Sequence, residues 1–311
     1  MNALILNNLM KTLWPALVIT ILTINVNAIT LRSNGVILGD PSTITQDRFE
    51  ANTPGVVLNP DFEFSTLDFS GVGWDSATPS RSVTLISDRH FVAAKHHAIG
   101  SNVSFLTSSG VVSYAVASQV FINNPAEPGF PPGVSDLRIG TLTSPIDLGS
   151  AGINFYPVLD PTLSPVGQDI IIYGQNGRIG ESTITTELNI NVGGVLGRTT
   201  RADYVIASGD ANDAYFSGGD SGGPSFIVNY SGDLVLSGVH WAVGDNTPRD
   251  EDNNPTGPAT LRQSYDSQIS RYITSAESQV AGLTFATSTP EPSSTLLLLS
   301  ATFGFALRRK R

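Results

Sequence analysis

Short runs of β-branched and aromatic residues recur along the chain, divided by glycine, proline and asparagine, and apolar residues almost nowhere fall at helical spacing. A strand pattern begins at Ser82 with Val83 and Leu85. Others follow at Val103 to Leu106, Val111 to Ile122, Ile170 to Tyr173, Ser182 to Val192, Tyr204 to Ile206, Phe226 to Asn229 and Leu234 to Val239. Strands this close together, with no helices between them, predict β-barrels or a sandwich. Only Ser264 to Val280 reads as helix, because Tyr265, Ile269, Tyr272, Ile273 and Ala276 fall at helical spacing. Residues 29–65 are polar and broken by proline and glycine, and read as an irregular arm.

With 311 residues, 40% hydrophobic and 14% charged, the chain has enough apolar side chains for a large core. A net charge of −10, with no cluster of Lys and Arg outside the last residues, excludes a nucleic-acid partner. There is no cysteine, so disulfides, thiolate metal sites and a cysteine nucleophile are excluded together. A domain of this size can fold without disulfides.

Both ends read as addresses. Lys11, the apolar run from Leu13 to Ile24 and the closing Val26-Asn27-Ala28 predict a secretory signal over residues 1–28, cleaved after Ala28. At the other end Thr289-Pro290-Glu291-Pro292-Ser293-Ser294 precedes an apolar stretch from Leu296 to Leu307 and then Arg308-Arg309-Lys310-Arg311. This order resembles the PEP-CTERM sorting signal of Gram-negative bacteria, which implies an exosortase-type partner acting on residues 286–311. The apolar run is short against the ~20 residues of a full span. Residues 295–307 are therefore expected to hold the membrane only until processing, leaving a secreted or cell-surface protein.

The segment Gly218-Gly219-Asp220-Ser221-Gly222-Gly223-Pro224 carries the strongest chemical signal. A nucleophilic serine needs a tight turn that exposes its hydroxyl and aims backbone N–H groups at a developing oxyanion, and flanking glycines permit that shape. The motif resembles the nucleophile motif of the chymotrypsin/trypsin family of serine proteases. That resemblance makes Ser221 the nucleophile and the amides of Gly219 and Ser221 the oxyanion hole.

The family's histidine motif is matched by Ala93-Ala94-Lys95-His96, which selects His96 as the general base. His97 stands where members often have a cysteine, and His90 reads as structural. The family's aspartate is matched by Ser135-Asp136-Leu137-Arg138-Ile139, so Asp136 orients the histidine. Asp147 and Asp160 are rivals without a matching strand after them. The order His, Asp, Ser is the family's, and it is wrong for an esterase or lipase.

The resemblance further implies two six-stranded antiparallel β-barrels, over about residues 66–150 and 151–263, with a C-terminal helix at about 264–280 closing a protease domain of 66–285. It implies hydrolysis of protein or peptide substrates without a cofactor. Tyr215 and Phe216, ahead of the nucleophile, and His240, Trp241 and Ala242, on the strand matching the family's Ser-Trp-Gly, would bind substrate. The acidic loop of Asp245, Asp250, Glu251 and Asp252 matches no defined metal site. Val56-Val57 and Ile29 are the candidate new N-termini if activation requires one. A protease fold serving only as a surface or extracellular-matrix binding module is the alternative reading.

Overall fold

The computed structural model describes residues 45–50, 54, 57–126, 130, 132–205 and 213–285, together with the backbone of 30–33 and 36–37. The signal segment, Ile206 and the sorting tail lie outside them. Two short strands, β1 (Thr30–Ser33) and β2 (Val36–Ile37), pair with each other ahead of the main body.

Six strands form the first barrel: β3 (Val72–Asp75), β4 (Thr78–Leu85), β5 (His90–Ala94), β6 (Asn102–Thr107), β7 (Gly110–Asn123) and β8 (Val134–Leu142). They close in the order β3-β4-β5-β8-β7-β6, every pairing antiparallel. The second barrel uses β9 (Asp169–Tyr173), β10 (Ile179–Val192), β11 (Val195–Val205), β13 (Pro224–Val228), β14 (Leu234–Asp245) and β15 (Leu261–Ser267), in the order β10-β11-β15-β14-β13-β9. Between β11 and β13 in sequence, β12 (Ala214–Tyr215) pairs with β1. The architecture is the pair of six-stranded antiparallel barrels that the resemblance implies.

Strand parity lets one segment serve two cores, because successive side chains point to opposite faces. In β5, Phe91 and Ala93 fill the first barrel with Val83, Leu85, Val103 and Phe105, while Val92 faces the other way. In β9, Ile170 and Ile172 fill the second barrel, while Ile171 and Tyr173 join Val92 in a third cluster between the barrels. Aromatic rings dominate that cluster: Phe69 lies 5.5 Å from Tyr173 and 6.2 Å from Phe226, and Tyr156 lies 4.6 Å from Phe226. Burying each such ring contributes roughly 1.5–3 kcal/mol. The two barrels are thereby held as one unit.

Two readings of the sequence are corrected. Ser264 to Ser267 belong to β15, bonded on one side to β11 and on the other to β14. Helix begins only with a 3-10 turn at Ile269–Tyr272 and continues as α-helix over Ile273–Gln279. Closing the barrel requires a sixth strand, and pairing on both edges outweighs the local spacing of Tyr265 and Ile269. β11 starts at Val195, well ahead of the Tyr204 at which its strand pattern was read. The irregular arm is packed onto the body where it is described: Asp47, Arg48, Phe49, Phe62 and Phe64 are all buried.

Candidate active site

His96 follows the end of β5, and Asp136 lies inside the neighbouring strand β8. Lys95 N donates to Asp136 O at 3.0 Å, which brings the loop onto the strand. Both carboxylate oxygens of Asp136 are then engaged by His96: Oδ2 lies 2.7 Å from Nδ1, and Oδ1 accepts from the backbone N–H at 3.2 Å. A carboxylate can only accept, so Nδ1 carries a proton and donates it to Asp136. The Asp136 side chain is 3% exposed and that of His96 41%, so the carboxylate is dry while the ring is partly open to solvent. His90 stands apart, buried and bonded through Nδ1 to Ser87 Oγ at 2.9 Å.

Ser221 sits on the turn between β12 and β13, which folds around the buried carboxyl of Asp220. Ser217 N donates to its Oδ2 at 2.6 Å and Gln175 N to its Oδ1 at 2.9 Å. Burial pushes Asp220 up to about 7, against the smaller downward pulls of those two amides and of Arg178. Gly223 N bonds Asp220 O and Gly222 N bonds His240 O, each at 2.9 Å. Gly219 takes a φ of +110°, open to glycine but strained for other residues. The amides of Gly219 and Ser221 donate to no acceptor among the described residues.

Contact between the barrels at this point is direct. A Cβ on Gly222 would lie 3.1 Å from Ser82 O and 3.2 Å from Ala94 N, so only glycine lets the turn rest against the first barrel. The ring of His97 lies against the Ser221 backbone, and it packs edge-on to His96 with centroids 4.8 Å apart. Burial, and then the neighbouring His96 and Arg81 charges, hold His97 below the usual histidine range. Sequence reading left His97 without a role, although its place directly after His96 was a signal. No hydrogen bond joins Ser221 Oγ to the His96 ring.

A cavity of about 60 Å³ opens beside Ser221, lined by Phe216, Asp220, His240, Trp241, Ala242 and Val243 among others. Of the five residues expected to bind substrate, Tyr215 is the one outside it: its ring packs on Tyr204 at 4.9 Å, with Arg262 over it. His240 and Phe216 stack at 3.8 Å. Behind them lies a polar group that sequence reading missed, since nothing marks Asp266 as special within its strand. His240 Nε2 is 3.2 Å from Ser225 Oγ and 3.8 Å from Asp266 Oδ1. Burial pushes Asp266 up to about 8 and His240 down to about 3, so near neutral pH both are uncharged. Of the acidic loop, Asp250 accepts from the backbone of Asp252 and Asn254, and Asp245 pairs with Arg262.

Residues 288–311 match the PEP-CTERM protein-sorting motif. No curated protein matches the chain in sequence. Among solved structures the chain is similar to kallikrein-related peptidase 10, at 13% identity and a TM-score of 0.43, over 68% of this chain and 94% of that one. It is similar to human heparin binding protein at 13% identity and a TM-score of 0.48, over 70% and 94%. The complex of kallikrein-related peptidase 10 with Zn2+ gives 14% identity and a TM-score of 0.43, over 68% and 94%. The tail marks the protein as one exported and processed by an exosortase at the membrane, then released or displayed at the surface of a Gram-negative bacterium. Among the described residues no helix is long and apolar enough to cross a membrane.

Two outcomes are expected. A carboxyl whose folded-state pKa is raised binds its proton more tightly in the folded chain, so its contribution to stability falls as pH rises toward the folded value. His240 acts oppositely, but only below about 6.5. Between pH 6.5 and 8 the unfolding free energy measured by urea titration should therefore fall, by at most about 1.4 kcal/mol per pH unit from Asp266. Asp266→Asn should remove most of that slope; an unchanged slope would contradict the assignment. For the tail, replacing Pro290, Glu291 and Pro292 by alanine should leave folding intact while full-length protein accumulates in the inner membrane. Mass spectrometry of the extracellular material checks this, because freely secreted chains still ending in Arg308-Arg309-Lys310-Arg311 would be incompatible with processing.

Proposed function

We propose that this protein is a secreted serine endopeptidase that uses Ser221, His96 and Asp136. The observation that carries the reading is the double hydrogen bond from His96 to the buried Asp136, on the loop against which the Ser221 turn rests. In this reading His96 Nε2 takes the proton of Ser221 Oγ as the oxygen attacks the scissile carbonyl carbon. Negative charge on the former carbonyl oxygen is received by the amides of Gly219 and Ser221, held in place around Asp220. The imidazolium returns its proton to the leaving amine, and Asp136 stabilises the charged ring meanwhile. Water, activated by the same nitrogen, then hydrolyses the acyl-enzyme and restores Ser221. Each step uses only side chains and backbone of this chain.

Substrate choice follows from the cavity beside Ser221. At about 60 Å³, with the stacked rings of Phe216 and uncharged His240 in its wall and the Asp220 carboxyl already engaged by the amides of Ser217 and Gln175, it is too small for arginine or lysine. Small uncharged side chains ahead of the cleaved bond fit it.

A fluorophosphonate probe should label the wild-type protein and fail to label Ser221→Ala. An unlabelled wild type would favour the binding-module reading. Ser221→Ala and His96→Ala should each lower peptide hydrolysis by a factor on the order of 10⁴ to 10⁶, and the double variant should be little worse, since the residues act as a unit. If His97→Ala is inactive and His96→Ala active, the base is misassigned. In a peptide-library profile, alanine and residues of similar size should dominate the position before the cut; dominance of Arg and Lys would overturn the specificity reading.

A further inference from the structure

Asp47 and Arg178 form an ion pair across 131 residues of sequence, with Nε to Oδ1 at 2.7 Å and Nη2 to Oδ2 at 2.8 Å. Both side chains are at least 98% buried. A buried ion pair contributes little net stability over an apolar replacement, because desolvation offsets the attraction, but leaving either partner alone is strongly penalised. The pair therefore acts mainly by dictating geometry. Arg48 N donates to Gly177 O at 2.9 Å and Ile179 N to Gln46 O at 3.0 Å, so residues 46–48 lie as a seam along residues 177–179. Arg48 Nη1 also reaches Tyr173 Oη at 3.2 Å.

The held segment is a loop that needs holding. Asn176 has a φ of 62° and Gly177 one of 84°, two successive left-handed residues that a free chain rarely adopts. One residue earlier, Gln175 donates its backbone N–H to Asp220 Oδ1. Asp220 in turn organises the turn that carries Gly219 and Ser221. An unbroken chain of contacts runs from the arm to the amides that face the reacting carbonyl.

We propose that Asp47 and Arg178 are positioning residues for the oxyanion-binding turn: the N-terminal arm, through this pair, holds loop 174–179 and with it Asp220 and the amides of Gly219 and Ser221. This rests on the serine-hydrolase reading, and the test separates the two. The mature protein is compared with Asp47→Asn/Arg178→Gln, which replaces the charges by a neutral pair without stranding either one, and with Asp47→Glu, which keeps the charges but displaces the carboxylate. Fluorophosphonate labelling of Ser221 and amide hydrogen exchange of residues 217–223 are measured on each.

The neutral pair should slow labelling roughly 100-fold, the loss typical of a missing oxyanion donor, and should lower kcat with KM nearly unchanged. Exchange of the turn amides should quicken at least about tenfold, while the strands of the first barrel keep their protection. Added to Asp220→Asn, the neutral pair should cost no further activity, since both act through one carboxyl; independent structural damage would add. A folded neutral pair with wild-type labelling and exchange overturns the proposal. Should that variant not fold, Asp47→Glu decides in the same way, with a fall in labelling at an unchanged melting temperature expected. If the wild type itself is not labelled, the hydrolase reading fails, and exchange of residues 217–223 still decides whether the pair positions the turn.

Discussion

Everything at the site depends on the apolar contact between the barrels. His96 and Asp136 belong to the first barrel and Ser221 to the second, so no hydrogen bond within either one brings the three segments together. Phe69, Tyr156, Tyr173 and Phe226 hold the barrels face to face, and that packing sets how the Ser221 turn meets Ala94 and His97. The contact is close-packed and tolerates little adjustment. Gly222 shows how little: one added carbon would press on two backbone atoms of the opposite barrel.

Asp47, Asp136, Asp220 and Asp266 are all withdrawn from water and are satisfied in different ways. Asp136 is held by His96, through the ring and the backbone N–H. Asp220 accepts two backbone amides, and Asp47 meets the fork of a guanidinium. Asp266 has Ser225 and His240 beside it, and burial raises its pKa to about 8. Burial of a charge is costly unless partners replace the lost water, and the partners decide whether the group stays charged. One residue type thus serves as histidine partner, turn core, arm anchor and uncharged group behind the cavity.

Much of this was legible in the sequence because the signals are local. The Gly-Gly-Asp-Ser-Gly-Gly-Pro turn has to carry its glycines next to its serine, and the histidine and aspartate lie on short motifs read within a few residues. Strands likewise show in local runs of β-branched residues, as in the stretch from Ser182 to Val192 that lies in β10. What escaped was set by partners distant in the chain. Ser264 to Ser267 become strand because β11 and β14 flank them. Tyr215 leaves the cavity because Tyr204 and Arg262 hold its ring, and no window around residue 215 contains either. Asp266 gives no sign of itself until His240 and Ser225 are placed beside it.

From the sequence alone came the all-β architecture, the two terminal addresses, the exclusion of cysteine chemistry, and the residues whose chemistry merits attention. These follow from side-chain periodicity and from motifs whose members are neighbours in the chain. Tertiary structure alone decided which surfaces meet: the seam that brings Asp47 to Arg178, the place of His97 against the Ser221 backbone, and the neutral state of His240 and Asp266. The physical reason is that desolvation and close contact are properties of a packed environment. A residue's type states what it can do, and its burial and partners determine which of those things it does.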